Sequence, residues 1–386
     1  MKRFRQIFIT VVLVSLLFSA VAYGDTWTTN KQITNTLGDS KYPAIAVDGS
    51  KIYVVWQDNT PDLLNDEIYF KRSVDGGVTW KTDKRLTNNA GGNYDSYDPA
   101  IAVDGSNIYV VWWDTRPGNY EIYFKRSVDG GVTWKTDRRL TNNAGYSQYP
   151  ALAVDGSKIY VVWHDYTPGN PEIYFKRSVD GGVTWKTDKR LTNNAGGSYF
   201  PVIAVDGQNV YVVWYDDRSG NPEIYFKRSV DGGVTWKTDK RLTNNAAYYQ
   251  YPAIAVDGPN IYVVWTDDTP GNEEIYFKKS VDGGVTWTTD KRLTTNTGDS
   301  YAPAIAVGGS NIYVVWTDVT PGNLEIYFKK STDGGSTWKQ TRLTNDSLGS
   351  QYPAIAADGS NVYIVWQNFI SMPPNVEIYF KKGVLD

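Results

Sequence analysis

The chain has 386 residues, 41% of them hydrophobic and 21% charged, with 15 Trp, 29 Tyr and 35 Gly. That mixture supports a large core with frequent turns and excludes disordered and collagen-like chains. Lys and Arg total 39 against 42 Asp and Glu, which excludes a nucleic-acid binder held by phosphate contacts, and with no Cys there is no disulfide framework, thiolate metal site or cysteine nucleophile.

Residues 1–24 read as a secretory signal peptide. Lys2, Arg3 and Arg5 precede an apolar run from Ile7 to Ala22, and the small residues Ala22 and Gly24 sit three and one positions before Asp25. The run is shorter than the roughly 20 residues of a membrane span. The expected product is therefore secreted, extracellular or periplasmic, with no membrane span in the mature chain, and residues 25–386 form one domain.

Residues 26–34 come next, and they match the text of residues 79–87, which ends a repeating unit. The phrase Tyr-Val-Val-Trp, once Tyr-Ile-Val-Trp, ends at Trp56, Trp112, Trp163, Trp214, Trp265, Trp316 and Trp366. A second phrase, Ser-Val-Asp-Gly-Gly-Val-Thr-Trp, begins at Ser73, Ser127, Ser178, Ser229 and Ser280, with a variant at Ser331. Each unit reads as four short strands; in the third these are 150–154, 159–163, 172–177 and 184–192, separated by Asp-Gly, Pro-Gly-Asn and Asp-Gly-Gly turns. The second and third strands are almost continuously apolar, so both of their faces must be covered. Stacking each sheet between two copies of itself meets that demand, and closing the stack into a ring leaves no hydrophobic end. The fold expected is all-β, a seven-bladed β-propeller of four-stranded antiparallel blades. The last unit supplies a third strand at 377–382 but no fourth, so the N-terminal strand is expected to complete the last blade and close the ring.

The second phrase resembles the Asp-box, or BNR repeat, of sialidase-like propellers, in which Ser-x-Asp-x-Gly-x-x-Trp forms the hairpin between third and fourth strands. The resemblance implies a structural role for Asp75, Asp129, Asp180, Asp231, Asp282 and Asp333, on the face away from the catalytic centre. Sialidases are also similar to one another in three central arginines, an Arg-Ile-Pro segment and a Tyr nucleophile aided by a Glu. No Arg-Ile-Pro occurs here, and Arg116 and Arg218 are the only arginines expected in the upper loops. The sialidase arginine cluster is therefore expected to be missing.

Differences between units fall in the loop entering each first strand and in the residue after each second-strand Trp. Both lie at the channel end of the ring, where propellers bind ligands. Ligand-binding candidates there are Trp113, His164, Tyr215, Arg116, Arg218, Asp114, Asp165 and Asp216, with Tyr94, Tyr146, Tyr199, Phe200, Tyr248 and Tyr249 from the adjoining loops. His164, the single histidine, reads as an incidental surface residue. The acids Asp58, Asp114, Asp165, Asp216, Asp267 and Asp318, and Glu67, Glu121, Glu172, Glu223, Glu274, Glu325 and Glu377, repeat with the units. Such rings can hold Ca²⁺ or serve hydrolysis, but their regularity points to tied loops, since an acid and a base need unlike environments. No cofactor is expected, with Ca²⁺ the one alternative. The function expected is a secreted, monomeric, non-catalytic binding module for a glycan or an extracellular or cell-surface protein. The alternative is a sialidase-type glycoside hydrolase, similar to exo-α-sialidases.

Overall fold

Strand alternation explains why the second strand of each unit carries no polar face. Ile52, Val54 and Trp56 pack with Tyr363, Val365, Ile378 and Phe380 on one side, whereas Tyr53 and Val55 pack with Ile108, Val110 and Trp112 on the other. Each of these second-strand residues is at most 1% exposed. Seven such seams occur, one between each pair of neighbouring sheets. The computed structural model describes residues 24–60, 63–89, 94–244, 249–320, 322–371 and 375–386, so the leader assigned to 1–24 lies, but for its last residue, outside the described residues.

The seven sheets form a β-propeller. Blade 1 runs Ser40–Asp48, Lys51–Asp58, Glu67–Ser73 and Lys84–Arg85, each strand antiparallel to the one before. Blade 7 contributes Ser350–Asp358, Asn361–Phe369 and Val376–Val384, and its outer edge is completed by Thr26–Trp27 and Lys31–Gln32. The register sets Thr26 opposite Val384 and Lys31 opposite Phe380. Trp27 lies edge-on to Phe328 of blade 6, with ring centroids 4.9 Å apart, and the Asp25 carboxylate accepts from Lys330 at 2.8 Å and Lys339 at 2.9 Å. Closure by the N-terminal strand is thus as the sequence implies. No helix among the described residues is long and apolar enough to cross a membrane.

One expectation changes. The fourth strand of the third unit, read as 184–192, pairs only over Lys189–Arg190. Its early part is drawn into the hairpin instead, where Thr184 donates both its N–H, at 2.8 Å, and its hydroxyl, at 2.5 Å, to Asp180. A side chain that satisfies those groups competes with the ladder for them.

Candidate functional site

First strands line the channel, and each carries a proline near its start. The residue ahead of that proline has a positive φ of 46° to 51° in every blade: Tyr42, Asp98, Tyr149, Phe200, Tyr251, Ala302 and Tyr352. Residues before proline prefer extended backbone, and non-glycine residues resist positive φ. A β-bulge absorbs the conflict, shifting the register between Lys41 and Ala44 in blade 1 and at the equivalent place in each other blade. The freed N–H is used as well. Tyr42 donates to Gln367 at 3.0 Å, Asp98 to Gln57 at 3.2 Å, Phe200 to His164 Nδ1 at 3.3 Å and Tyr352 to Thr317 at 3.0 Å, each acceptor belonging to the preceding blade's second strand.

This twist brings the seven residues, with their prolines, around the axis to line a cup of about 380 Å³, within the ~300–1,000 Å³ usual for small-molecule sites. Tyr42 and Tyr352 lie 5.4 Å apart and Tyr149 and Phe200 4.5 Å apart, centroid to centroid. Behind them Tyr199 stacks on Tyr215 at 4.9 Å and 16°. Burial pushes the Tyr149 phenol up to about 12 and raises those of Tyr42 and Tyr352, so all three are neutral near pH 7. Asp98 is the cup's charged residue; burial lifts its carboxyl to about 6 although Trp113 Nε1 donates to it at 2.8 Å.

The other end of every blade is a lock between neighbours. In the first hairpin Asp75 accepts from the Thr79 hydroxyl at 2.5 Å, the Thr79 N–H at 2.9 Å and Ser73 Oγ at 2.7 Å, bonds that hold its carboxyl down to about 2. Trp80 lies edge-on to Phe380 of the adjoining blade 7, 5.1 Å away. Gly77, at φ +89°, lets the backbone approach that ring, since a Cβ there would fall 2.4 Å from it. The box tryptophan therefore fastens its hairpin to the neighbouring blade. The sequence pattern of the BNR repeat-like domain matches residues 163–364, more than half of the chain. The chain belongs to the BNR repeat-like family.

This chain is 30% identical over 270 residues to a xyloglucanase of Acetivibrio thermocellus, covering 62% of this chain and 31% of that protein. It is 23% identical over 296 residues to a sialidase of Bacteroides fragilis, covering 65% and 53%. The chain thus spans about a third of the xyloglucanase and about half of the sialidase. The phage phi92 endosialidase shares the fold, with a TM-score of 0.55 and 10% identity over 93% of this chain and 69% of that one.

Set on this BNR repeat-like frame, the residues singled out from sequence fall mostly behind the cup, not in it. Trp113 is 8% exposed, wedged between Tyr97 at 4.3 Å and Tyr120 at 4.9 Å. His164 is 1% exposed, which corrects its reading as a surface residue. In four blades the residue after the second-strand Trp (Gln57, His164, Thr317 and Gln367) accepts an N–H from the next blade's bulge, whereas Trp113 donates to Asp98 of its own blade. Asp58, Asp114, Asp165, Asp216, Asp267 and Asp318 are at most 2% exposed, as are the seven third-strand glutamates. Asp114 accepts from Trp112 Nε1 at 3.0 Å, Ser96 Oγ at 2.9 Å and the Arg116 N–H at 2.9 Å; Glu121 accepts from Arg139 at 2.6 Å, the Asn143 N–H at 3.1 Å and the Thr141 hydroxyl. These are tied loops. Among the described residues no group of three or more His, Cys, Asp or Glu could hold a metal ion.

Arg116 and Arg218 are also committed. Arg116 bridges Asp114 and Asp137, both at 2.8 Å, over the Tyr123 ring, and Arg218 bridges Asp216 and Asp239 over Tyr225. They take the carboxylate that Lys71, Lys176 and Lys278 take in other blades. Tyr94 and Tyr146 stand exposed on the outer lip, at 40% and 49%, and Tyr199, Phe200 and Tyr215 are half-buried. Tyr248 and the side chain of Tyr249 lie outside the described residues. The sequence reading passed over the pre-proline ring as a set, naming only Phe200 from it. The available signal was an X-Pro step at the same place in all seven units, with Tyr or Phe as X in five.

The buried histidine has a measurable consequence. Burial pushes the His164 imidazole down to about 3. Below pH 6.5 the unfolded chain takes up a proton that the folded chain refuses, so stability falls as pH drops from 6.5 toward 3. Gln, found at this position as Gln57 and Gln367, accepts the same bond without titrating. Chemical denaturation of wild type and His164→Gln at pH 7.5 and pH 5 is expected to show wild type losing about 2 kcal/mol more than the variant; equal losses would contradict the burial.

Proposed function

We propose that this chain is an exported, monomeric, non-catalytic glycan-binding propeller that holds its ligand in the axial cup. The observation that carries the reading is the ring of five aromatic side chains drawn to one mouth by a repeated, conformationally costly bulge. Flat amphipathic faces on a rigid rim suit the apolar faces of sugars. Two relatives named xyloglucanase and sialidase support a glycan ligand, and the pattern of residues 1–24 supports export. The non-catalytic part rests on the repeated acids: each accepts hydrogen bonds from neighbouring loop or strand donors and is at most 2% exposed, although Glu172 and Glu274 each keep Oε2 without a partner among the described residues.

A second reading has one observation in its favour. Asp66 and Asp95 form an acid pair at the mouth, as Glu273 and Asp299 do on a later blade; the Asp66 N–H donates to Asp95 at 2.9 Å, and burial followed by the Asp95 charge lifts the Asp66 carboxyl to about 6. A carboxyl whose proton is held more tightly, set beside a second carboxyl, is the kind of pair glycoside hydrolysis uses. The purified chain should be applied to a glycan array and incubated in parallel with xyloglucan and sialylated oligosaccharides. Retention of a glycan class without sugar release is the expected result. Release that is lost on Asp95→Asn would favour the hydrolase, and retention of no glycan would overturn the binding reading.

A further inference from the structure

The glycan reading leaves Asp98 without a role. Six of the seven ring positions are neutral, five of them aromatic, and the seventh is this carboxylate. Trp113 Nε1 donates to its Oδ2. No lysine or arginine lines the cup, and no cation of the described residues offsets the charge. Asp98 is half-buried, and the fully buried acids on this face are differently furnished: Glu121 has an arginine, a hydroxyl and a backbone N–H, and Asp165 four donors. A carboxylate placed among apolar groups without a counter-ion is costly, and a cationic ligand relieves that cost.

We propose that the cup takes an organic ammonium ion, with Asp98 as its counter-ion and the flanking Tyr42 and Tyr149 as its aromatic surface. The inference rests on the cup being the ligand site and adds the ligand's charge. Ammonium groups are attracted to aromatic faces as well as to carboxylates, and both attractions strengthen where water is excluded. The acidic chain, at net charge −3, favours approach of a cation. The same chemistry is presented by a free amino sugar and by an N-methylated headgroup such as choline.

The pairing predicts a pH step. Asp98 is ionised above about 6, so it attracts a cation at neutral pH and loses that attraction as it gains a proton in acid. The groups around it do not titrate there: Tyr97 on its own strand, Tyr42 and Tyr149 on the flanking first strands are raised phenols, Trp113 is not ionisable, and His164 behind Tyr149 stays neutral down to about 3. Two acids act on the cup's tyrosines from the mouth: Asp66 on Tyr42, titrating near 6, and Glu273 on Tyr352, raised by burial and the Asp299 charge.

The test is calorimetric titration of the purified chain with choline and with its neutral isostere carrying carbon in place of nitrogen, at pH 7 and pH 5. A second arm compares a glucosamine oligomer with its N-acetylated counterpart at pH 7. The expected result is that the charged member of at least one pair binds about tenfold tighter than the neutral one, the arm identifying the source of the ammonium. Choline affinity should fall about tenfold between pH 7 and pH 5 for a carboxyl titrating near 6. Asp98→Asn, which keeps an acceptor for Trp113, should remove both the preference and the step, while Asp66→Asn should leave both. Equal binding of charged and neutral members in both arms, or a preference unaffected by Asp98→Asn, overturns the inference. Glycans still retained on the array in that event leave the cup's glycan reading standing; loss of both removes the cup as a site.

Discussion

Deleting residues 25–34 is expected to abolish cooperative folding of the remaining chain. The deletion strips Val376–Val384 of both strands on its outer edge and removes Ile33 from the seam between blades 7 and 1 and Trp27 from Phe328. It also strands Glu377. That carboxylate is 0% exposed and accepts from Thr34 Oγ1 at 2.5 Å and the Thr36 N–H at 2.7 Å; Thr36 lies just past the cut, so the deletion takes the first bond and frees the segment holding the second. A lost hydrogen bond to a buried charge costs ~1.5–3 kcal/mol and an emptied core position ~2–5 kcal/mol, so the sum rivals the ~5–15 kcal/mol by which domains are stable. The milder Thr34→Val removes the donor to Glu377 and the acceptor of the Ile378 N–H and should cost about 2–4 kcal/mol in a denaturant titration. Wild-type midpoints for Thr34→Val would mean that this segment does not complete blade 7.

Asp165→Ala is expected to destabilise the fold by about 3–5 kcal/mol. Its carboxylate accepts from Trp163 Nε1 at 3.1 Å, Ser147 Oγ at 2.8 Å, Asn143 Nδ2 at 2.5 Å and the Thr167 N–H at 2.9 Å, and a methyl group leaves buried donors unmatched. Asp165→Asn should cost less, about 1–2 kcal/mol, because Asn368 fills the same position in blade 7 and accepts from Ser350 Oγ at 2.5 Å. Equilibrium denaturation measures both. A catalytic Asp165 would give the opposite signature, with stability kept and turnover lost.

The ring was legible in the sequence because its causes are periodic. Seven near-identical second strands with no polar face demand cover on both sides, and a unit lacking its fourth strand demands the stretch that matches it. The Asp-box turns were legible for the same reason. The cup was not, since its positive φ comes from a bulge that no residue type announces; Tyr, Asp, Phe and Ala all adopt it. His164 and its counterparts misled for a physical reason. In four blades that position accepts one N–H from the next blade, and Gln, His and Thr all do so, so tolerance within a seam looks like freedom at a surface. Arg116 and Arg218 misled similarly, being alternative cations for a repeated carboxylate.

The most direct test of the cup as the ligand site is the affinity of the array-selected glycan for two variants. Tyr149→Ala combined with Phe200→Ala strips aromatic surface from the cup, whereas Val132→Asp alters an exposed hairpin residue at the opposite end. Binding weakened by about tenfold or more in the first, which corresponds to ~1.4 kcal/mol or more, and unchanged in the second is the predicted result. Undiminished binding by the folded cup variant, or loss on Val132→Asp, would contradict it.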